Sequence, residues 1–420
     1  MTISPPVTSS APLRPRTVVS LIAGRGAFRV ASQLAAVALA VVWGERTFGA
    51  YANVVGVSAW LIFVSSGAEK AALKLVPRHP RLGKDIVWQV IFLASLPLAA
   101  VLILLAAALL VAGGSTPTLY LAAAAVSSST GLLLVVAGLH RLLGRSGYDV
   151  AAFVVAAVAI GVFTTVTWIF GLQPLGQLLM ILTVSLMTSA VLLAALPAEW
   201  TRGPRRNRGV VAKHVLRSSF LLGANDILDA AGVATVFAVL AVSGRTAQSG
   251  PLLLALIAAG AVGSLLVFLL RLAQPGVSLR QRGRGAEAGR RRAAVLLQVA
   301  QWSGLAVAVA LGVAVALTIT SGTRTALSST TALAVLVVAE IVMFAVVSYA
   351  VFLVENTDHR VLKVTASAAL VGFGATVGLG VVLAARFGAA GALGAVVLGM
   401  PVKAAVLRLW LRTPRLTRTT

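Results

Sequence analysis

Apolar runs of about twenty residues follow one another along almost the whole chain, and a run of that length crosses the roughly 30 Å hydrocarbon core of a bilayer as a helix. They predict twelve spans, at 20–42, 50–75, 86–111, 118–139, 149–171, 175–197, 215–242, 250–271, 294–319, 327–352, 361–384 and 388–410. Lipid offers no partner to a bare peptide group, so a spanning chain is left with helices or a closed barrel. The unbroken runs, without ten-residue alternation, decide for helices. Composition agrees. With 59% hydrophobic and 11% charged residues in 420, too few charges remain to cover a soluble surface. The predicted class is an all-α polytopic membrane protein.

The charge is +24, and its placement explains it before any nucleic-acid partner is needed. Counted loop by loop with the N-terminus inside, twenty-seven Lys and Arg fall on one side and four on the other. Those four are Arg46, Arg245, Arg324 and Arg386. Such asymmetry places both termini in the cytoplasm, as expected of a multi-pass protein of a bacterial cytoplasmic (inner) membrane. The basic run at 280–292 reads as an anchor on an anionic leaflet. No cysteine is present, and the four histidines are scattered without metal-site spacing, so no metal or catalytic site is expected.

The expected organisation is a disordered cytoplasmic tail at 1–19, an N-lobe of six spans at 20–197 and a cytoplasmic linker at 198–214. A C-lobe of six spans at 215–410 and a second tail at 411–420 follow. A faint internal echo supports two related halves: span 1 exits through GERTFGAY (44–51) and span 7 through SGRTAQSGP (243–251), both placing Arg-Thr before Gly. Pro401 interrupts the interior of span 12, which predicts a kink there.

Span 1 carries the most telling side chains. Arg25, Arg29 and Gln33 stand one helical turn apart, about 8 and 14 Å deep for the two arginines at 1.5 Å per residue. An arginine at mid-membrane costs roughly 2.5–3.5 kcal/mol on insertion scales, so this face is expected to line an aqueous cavity that receives an anion. Lys70 and Lys74, Trp60 and Arg217 are the further candidates for substrate contact. Span 7 holds Asn225, Asp226 and Asp229 on one face, and span 10 holds Glu340. These acids are expected to answer Arg25 and Arg29 when the cavity is empty and to take up a cation when substrate displaces them. The coupling ion, H+ or Na+, stays open; no other cofactor is expected. The competing reading is a static ion-pair network that stabilises the bundle.

GERTFGAYANVVGVSAWLIFVSSGAEKAALKLVPR (44–78), with its Phe-Gly-x-Tyr turn at 48–51, resembles the first outer loop and second span of polysaccharide export flippases. These belong to the multidrug/oligosaccharidyl-lipid/polysaccharide exporter (MOP) superfamily. RFGAAGALGAVVLGMPVKAAVLRLWLR (386–412) is similar to that family's last span. The resemblance implies two six-helix lobes around a central cavity and alternating access. The cargo it implies is a polyprenyl-(di)phosphate-linked oligosaccharide or related cell-surface glycan precursor, moved to the outer leaflet. A glycan polymerase or glycosyltransferase would be the accompanying partner. Room for twelve spans, not the fourteen of lipid II flippases, argues against lipid II as cargo.

Two other readings stand beside it. One is a multidrug or cation antiporter of the same superfamily, disfavoured at this level by the cationic span 1. The other is a non-transporting assembly partner of a polymerase. A membrane glycosyltransferase would need acids in a large outer loop. The outer loops here are short and carry only Glu45, so no enzyme is expected.

Overall fold

The structure, a computed structural model, describes residues 15–201, 208–281, 284–321, 330–357 and 359–411. Among them every long element is a helix: α1 (Pro15–Ser58), α2 (Trp60–Arg78), α3 (Gly83–Ala112), α4 (Thr116–Leu142), α5 (Ser146–Phe170), α6 (Pro174–Ala194), the short α7 (Ala198–Thr201), α8 (Arg208–Val242), α9 (Ser249–Arg280), α10 (Arg284–Ser321), α11 (Thr330–Glu355) and α12 (His359–Leu411). Ten helical stretches are long and apolar enough to cross a membrane.

Two of those ten are too long to be one crossing. Arg16–Arg78 has 63 residues and Leu362–Leu411 has 50. Drawn straight at 1.5 Å per residue, the first would measure about 95 Å, three times the bilayer core. Each contains one glycine in the left half of φ space: Gly44 at φ 68° and Gly388 at φ 61°. A Cβ disfavours that conformation, so the helix breaks where glycine stands. Counting each of the two as a pair gives twelve crossings, the all-α polytopic architecture expected from hydropathy.

The break in α12 therefore falls at Gly388. Pro401 lies within helical backbone, and Gly304 of α10 leaves the space its ring occupies. At the other end, helix begins at Pro15, inside the tail expected to be disordered through residue 19. Residues 1–14 of that tail, 202–207 of the linker, Arg324 and residues 412–420 lie outside the described residues.

The chain forms two compact units, and their division does not follow the linker at 198–214. One holds residues up to Val42, Ser58–Asp226 and Ala273–Leu279; the other holds Trp43–Val57, Ile227–Leu272 and everything from Arg280. The change of unit within α8 comes between Asp226 and Ile227.

Inside the first unit α4 is the hub, in contact with α2, α3, α5 and α6. Its face is built of small side chains: Ala122, Ala125 and Ala137 are wholly enclosed, and Gly131 faces the Ile62 carbonyl, where a Cβ would come within 2.8 Å. Lipid supplies no hydrophobic drive between helices, so close approach through small residues does the packing. Inside the second unit α10, α11 and α12 pack on one another through Ala293, Leu297 and Ala300, Met343, Val347 and Ala350, and Val364, Ala368, Val397 and Ala404.

The two turns that echo each other in sequence meet within this second unit. A Cβ on Gly49 would stand 2.8 Å from the Ala247 Cα, and one on Gly250 would stand 3.1 Å from the Phe48 ring.

Candidate functional site

In the first unit the membrane-embedded charges form a chain of ion pairs. Arg141, near the end of α4, reaches Glu69 Oε1 with Nη2 at 3.1 Å and Asp149 Oδ2 with Nη1 at 3.0 Å. Arg25 donates to Asp149 Oδ1 at 3.2 Å, and its guanidinium stands 4.4 Å from the centre of the Phe153 ring. Four helices, α1, α2, α4 and α5, are joined by two cations and two anions. Glu69, Arg141 and Asp149 are all buried. Gly138, one turn before Arg141, makes the room: a Cβ there would lie 2.6 Å from Glu69 Oε1.

In this arrangement Arg25 is engaged by Asp149 and Phe153 and is not turned to an open cavity. Its neighbour Arg29 differs, and helical phase explains why. An i+4 step overshoots one full turn by about 40°. The packed face of span 1 carries Leu21, Ala35, Ala36 and Leu39, and Arg25 lies close to its centre line. The bare apolar stripe opposite carries Val30, Leu34, Val37 and Val41, each more than half exposed. Arg29 falls about 110° round from that stripe, on the flank between it and the packed face. There it is exposed, and it has no hydrogen bond or ion pair among the described residues. Gln33 is half-buried on the same flank.

Lys70 is held as well. Its Nζ reaches Asp226 Oδ1 at 2.9 Å and the Leu222 carbonyl at 3.3 Å, while Ser66 donates to Asp226 Oδ2 at 3.1 Å. Gly67 allows this approach of α2 to α8, since a Cβ on it would strike the Ser219 carbonyl. Asn225 donates to Asp226 at 3.4 Å, and its own Oδ1 is buried without a partner among the described residues. Lys74 is completely enclosed, so it neither snorkels to water nor offers itself to a ligand. Trp60 is half-buried at the start of α2, and Arg217 is exposed on α8 with no partner among the described residues.

In the second unit Asp229 accepts from Lys403 Nζ at 2.6 Å. The lysine stem lies over Gly372, where a Cβ would come within 2.8 Å of the Lys403 Cβ. Both span 7 carboxylates thus have a lysine within their own unit. The expected pairing with Arg25 and Arg29 is replaced by Lys70–Asp226 and Lys403–Asp229, with Asp149 answering Arg25.

Glu340 stands apart. It lies on the buried stripe of α11 with Leu336, Met343, Val347 and Ala350, and has no partner among the described residues. Sequence reasoning had not singled out Asp149 or Arg141. Asp149 opens an apolar run and could have been flagged as an intramembrane acid; Arg141 was absorbed into the count of inner loop charges.

Against known proteins, no family model and no curated protein sequence matches the chain. Solved structures do. A mutant of the Vibrio cholerae MATE transporter VcmN superposes with TM-score 0.60 at 13% identity, covering 96% of each chain. A MOP superfamily transporter from Pyrococcus furiosus Vc1, for which reverse polarity of the binding pocket suggests a different function, gives 0.58 at 15%, covering 96% of this chain and 97% of that one. A multidrug resistance MATE family transporter in its outward-facing conformation gives 0.58 at 15%, with the same coverage. At such identities the likeness is one of fold. The chain has a membrane-transporter fold, shared with MATE proteins of the MOP superfamily, and these neighbours are transporters, not enzymes.

Proposed function

We propose that the chain is an ion-coupled, alternating-access exporter of the multidrug-antiporter type whose cargo is anionic and amphiphilic. The fold of its structural neighbours supports the antiporter mechanism over glycan-lipid flipping. The sign of the cargo rests on one observation: Arg29, exposed on a flank of span 1 away from its apolar stripe, is a membrane-embedded cation with no partner among the described residues. An unanswered guanidinium at that depth is stable where water or an anion reaches it, and it binds carboxylate or phosphate through paired N–H donors. Gln33 on the same flank, Arg217 on α8 and Trp60 on α2 are assigned to the same ligand. Arg25, Lys70 and Lys74 are spoken for and drop out of the binding set. The Pyrococcus protein, with its reverse polarity of the binding pocket, is a parallel for a change of pocket polarity in this fold.

Coupling is assigned to Glu340. Asp226 and Asp229 are held by lysines, whereas Glu340 is a carboxyl free to exchange a proton or Na+. Residence in a bacterial cytoplasmic membrane with both termini inside rests on the Lys/Arg asymmetry.

A second reading, export of a polyprenyl-diphosphate-linked glycan, is favoured by the likeness of residues 44–78 and 386–412 to polysaccharide flippases. It predicts the same anion contact at Arg29, so one set of vesicles separates the two. Full-length protein in proteoliposomes is given an imposed ion gradient and offered carboxyfluorescein, ethidium or a polyprenyl-diphosphate glycan. Uphill movement of carboxyfluorescein, lost in Arg29→Glu and partly kept in Arg29→Lys, is expected. Leaflet exchange of the glycolipid without dye movement would transfer the assignment to the second reading. Ethidium transport indifferent to Arg29 would overturn an anionic cargo.

A further inference from the structure

Within the second unit, α8 and the first half of α12 pack tightly along one seam. Gly232 faces Thr376, where a Cβ would lie at 3.2 Å, and Gly380 faces Val236, at 3.0 Å. Beside that seam the two helices part. Thr235, Ala238, Val239, Val242 and Ser243 on one side, with Val381 and Ala385 on the other, line a cavity of about 360 Å³. Gly378, one turn before Val381, continues the α12 wall, and a Cβ there would touch nothing. The lining is almost wholly aliphatic, within the size range of small-ligand sites.

The chemistry at its end is different. Ser243 is followed by the Gly244 turn and Arg245, and Ala385 is followed by Arg386. The two turns are adjacent: a Cβ on Gly388 would stand 3.1 Å from Gln248 Oε1. Both arginines are exposed, and neither side chain has a hydrogen bond or ion pair among the described residues. Counting crossings from the termini, this end lies on the opposite membrane face, the one with only four basic residues. Two of those four directly follow the lining of this one groove in the chain, Arg245 two residues after Ser243 and Arg386 next to Ala385. The positive-inside rule depletes such a face of Lys and Arg, so it does not account for the pair.

We propose that this groove is a binding site for an anionic phospholipid of the membrane, with one acyl chain between α8 and α12 and the phosphodiester on Arg245 and Arg386. An aliphatic slot with an arginine in each of the two turns at its end matches the lipid end to end. Burial of methylenes draws the chain in, and charge-assisted hydrogen bonds fix the head. A zwitterionic lipid satisfies the slot but brings its own cation to the arginines. The site therefore selects headgroup charge, not chain.

Native mass spectrometry of the full chain in mild detergent tests this, with dioleoyl phosphatidylglycerol or dioleoyl phosphatidylcholine titrated in. At least one phosphatidylglycerol is expected to be retained preferentially over phosphatidylcholine. Each basic side chain near a lipid surface is worth roughly a fivefold change in affinity, so Arg245→Gln with Arg386→Gln should weaken that retention by about thirtyfold. Arg81→Gln, on the other face, should leave it unchanged. Ala385→Trp fills the slot and should expel the lipid while both arginines remain. Equal retention of the two lipids by the wild type overturns the proposal, as does undiminished phosphatidylglycerol binding by the double variant. A thermal unfolding curve for each variant in the same detergent confirms that the folded protein is being compared.

Discussion

Asn53 donates from Nδ2 to the backbone carbonyl of Phe237 at 2.8 Å, and the same amide reaches Ser249 Oγ at 3.0 Å. Through this side chain the short helix after Gly44 is fastened to α8 and α9 within the second unit. The approach is close because Gly56, three residues on, leaves the space that the Phe237 ring fills.

The Asn53 amide is 1% exposed, so Asn53→Ala removes two enclosed hydrogen bonds and admits no water in return. Interhelical hydrogen bonds in membranes average about 0.6 kcal/mol each and reach about 1.7. The expected loss is therefore about 1–2 kcal/mol in reversible unfolding from mixed micelles. Gly56→Leu should be more damaging, since it drives a side chain into the Phe237 ring and overpacking costs roughly 1–3 kcal/mol before any rearrangement. A Gly56→Leu protein as stable as the wild type would mean that this contact is not made.

Arg141 is the member of the ion network that cannot be spared. It touches both Glu69 and Asp149, and the side chains of those acids are each 1% exposed. Removing one partner from a buried pair costs about 3–5 kcal/mol, because the other charge is left behind. Arg141→Met should fall within that range, because it removes an ion pair from Glu69 and another from Asp149, which is then left to Arg25. Arg25→Met should cost less, since Asp149 keeps Arg141 and Arg25 already lies at the partly exposed edge. Urea or SDS unfolding of the two variants checks the order; equal losses would mean that the network is not centred on Arg141.

Hydropathy alone gives the twelve crossings, because length and apolarity are properties of each segment by itself. The helix breaks at Gly44 and Gly388 are nearly as plain, lying between two apolar runs. What each buried charge touches is not local. Arg25 and Asp149 are 124 residues apart, and only the rotation of α1 and α5 about their own axes brings them together. A one-turn spacing suggested that Arg25 and Arg29 share a face, yet 40° of drift suffices to bury one and expose the other. The same limit explains Asp226 and Asp229. They share a helix face in sequence, but the chain passes from one unit to the other between them, and each takes a lysine from its own.

Glu340 is where stability and function should part. On the buried stripe of α11 it stands among Leu336, Met343, Val347 and Ala350, and an ionised carboxylate there has no counter-charge among the described residues. A group with only a structural duty would be served as well by glutamine, which keeps the shape and removes the charge that burial penalises. Glu340→Gln should accordingly unfold within about 1 kcal/mol of the wild type, or later. If the carboxyl exchanges the coupling ion, the same variant should lose accumulation of substrate against a gradient while still equilibrating it downhill, because the carrier's motion persists and only its link to the ion is cut. Proteoliposomes with and without an imposed proton or Na+ gradient measure both quantities. Undiminished uphill transport by Glu340→Gln would remove this residue from the coupling step and return the role to the lysine-held pair, Asp226 and Asp229.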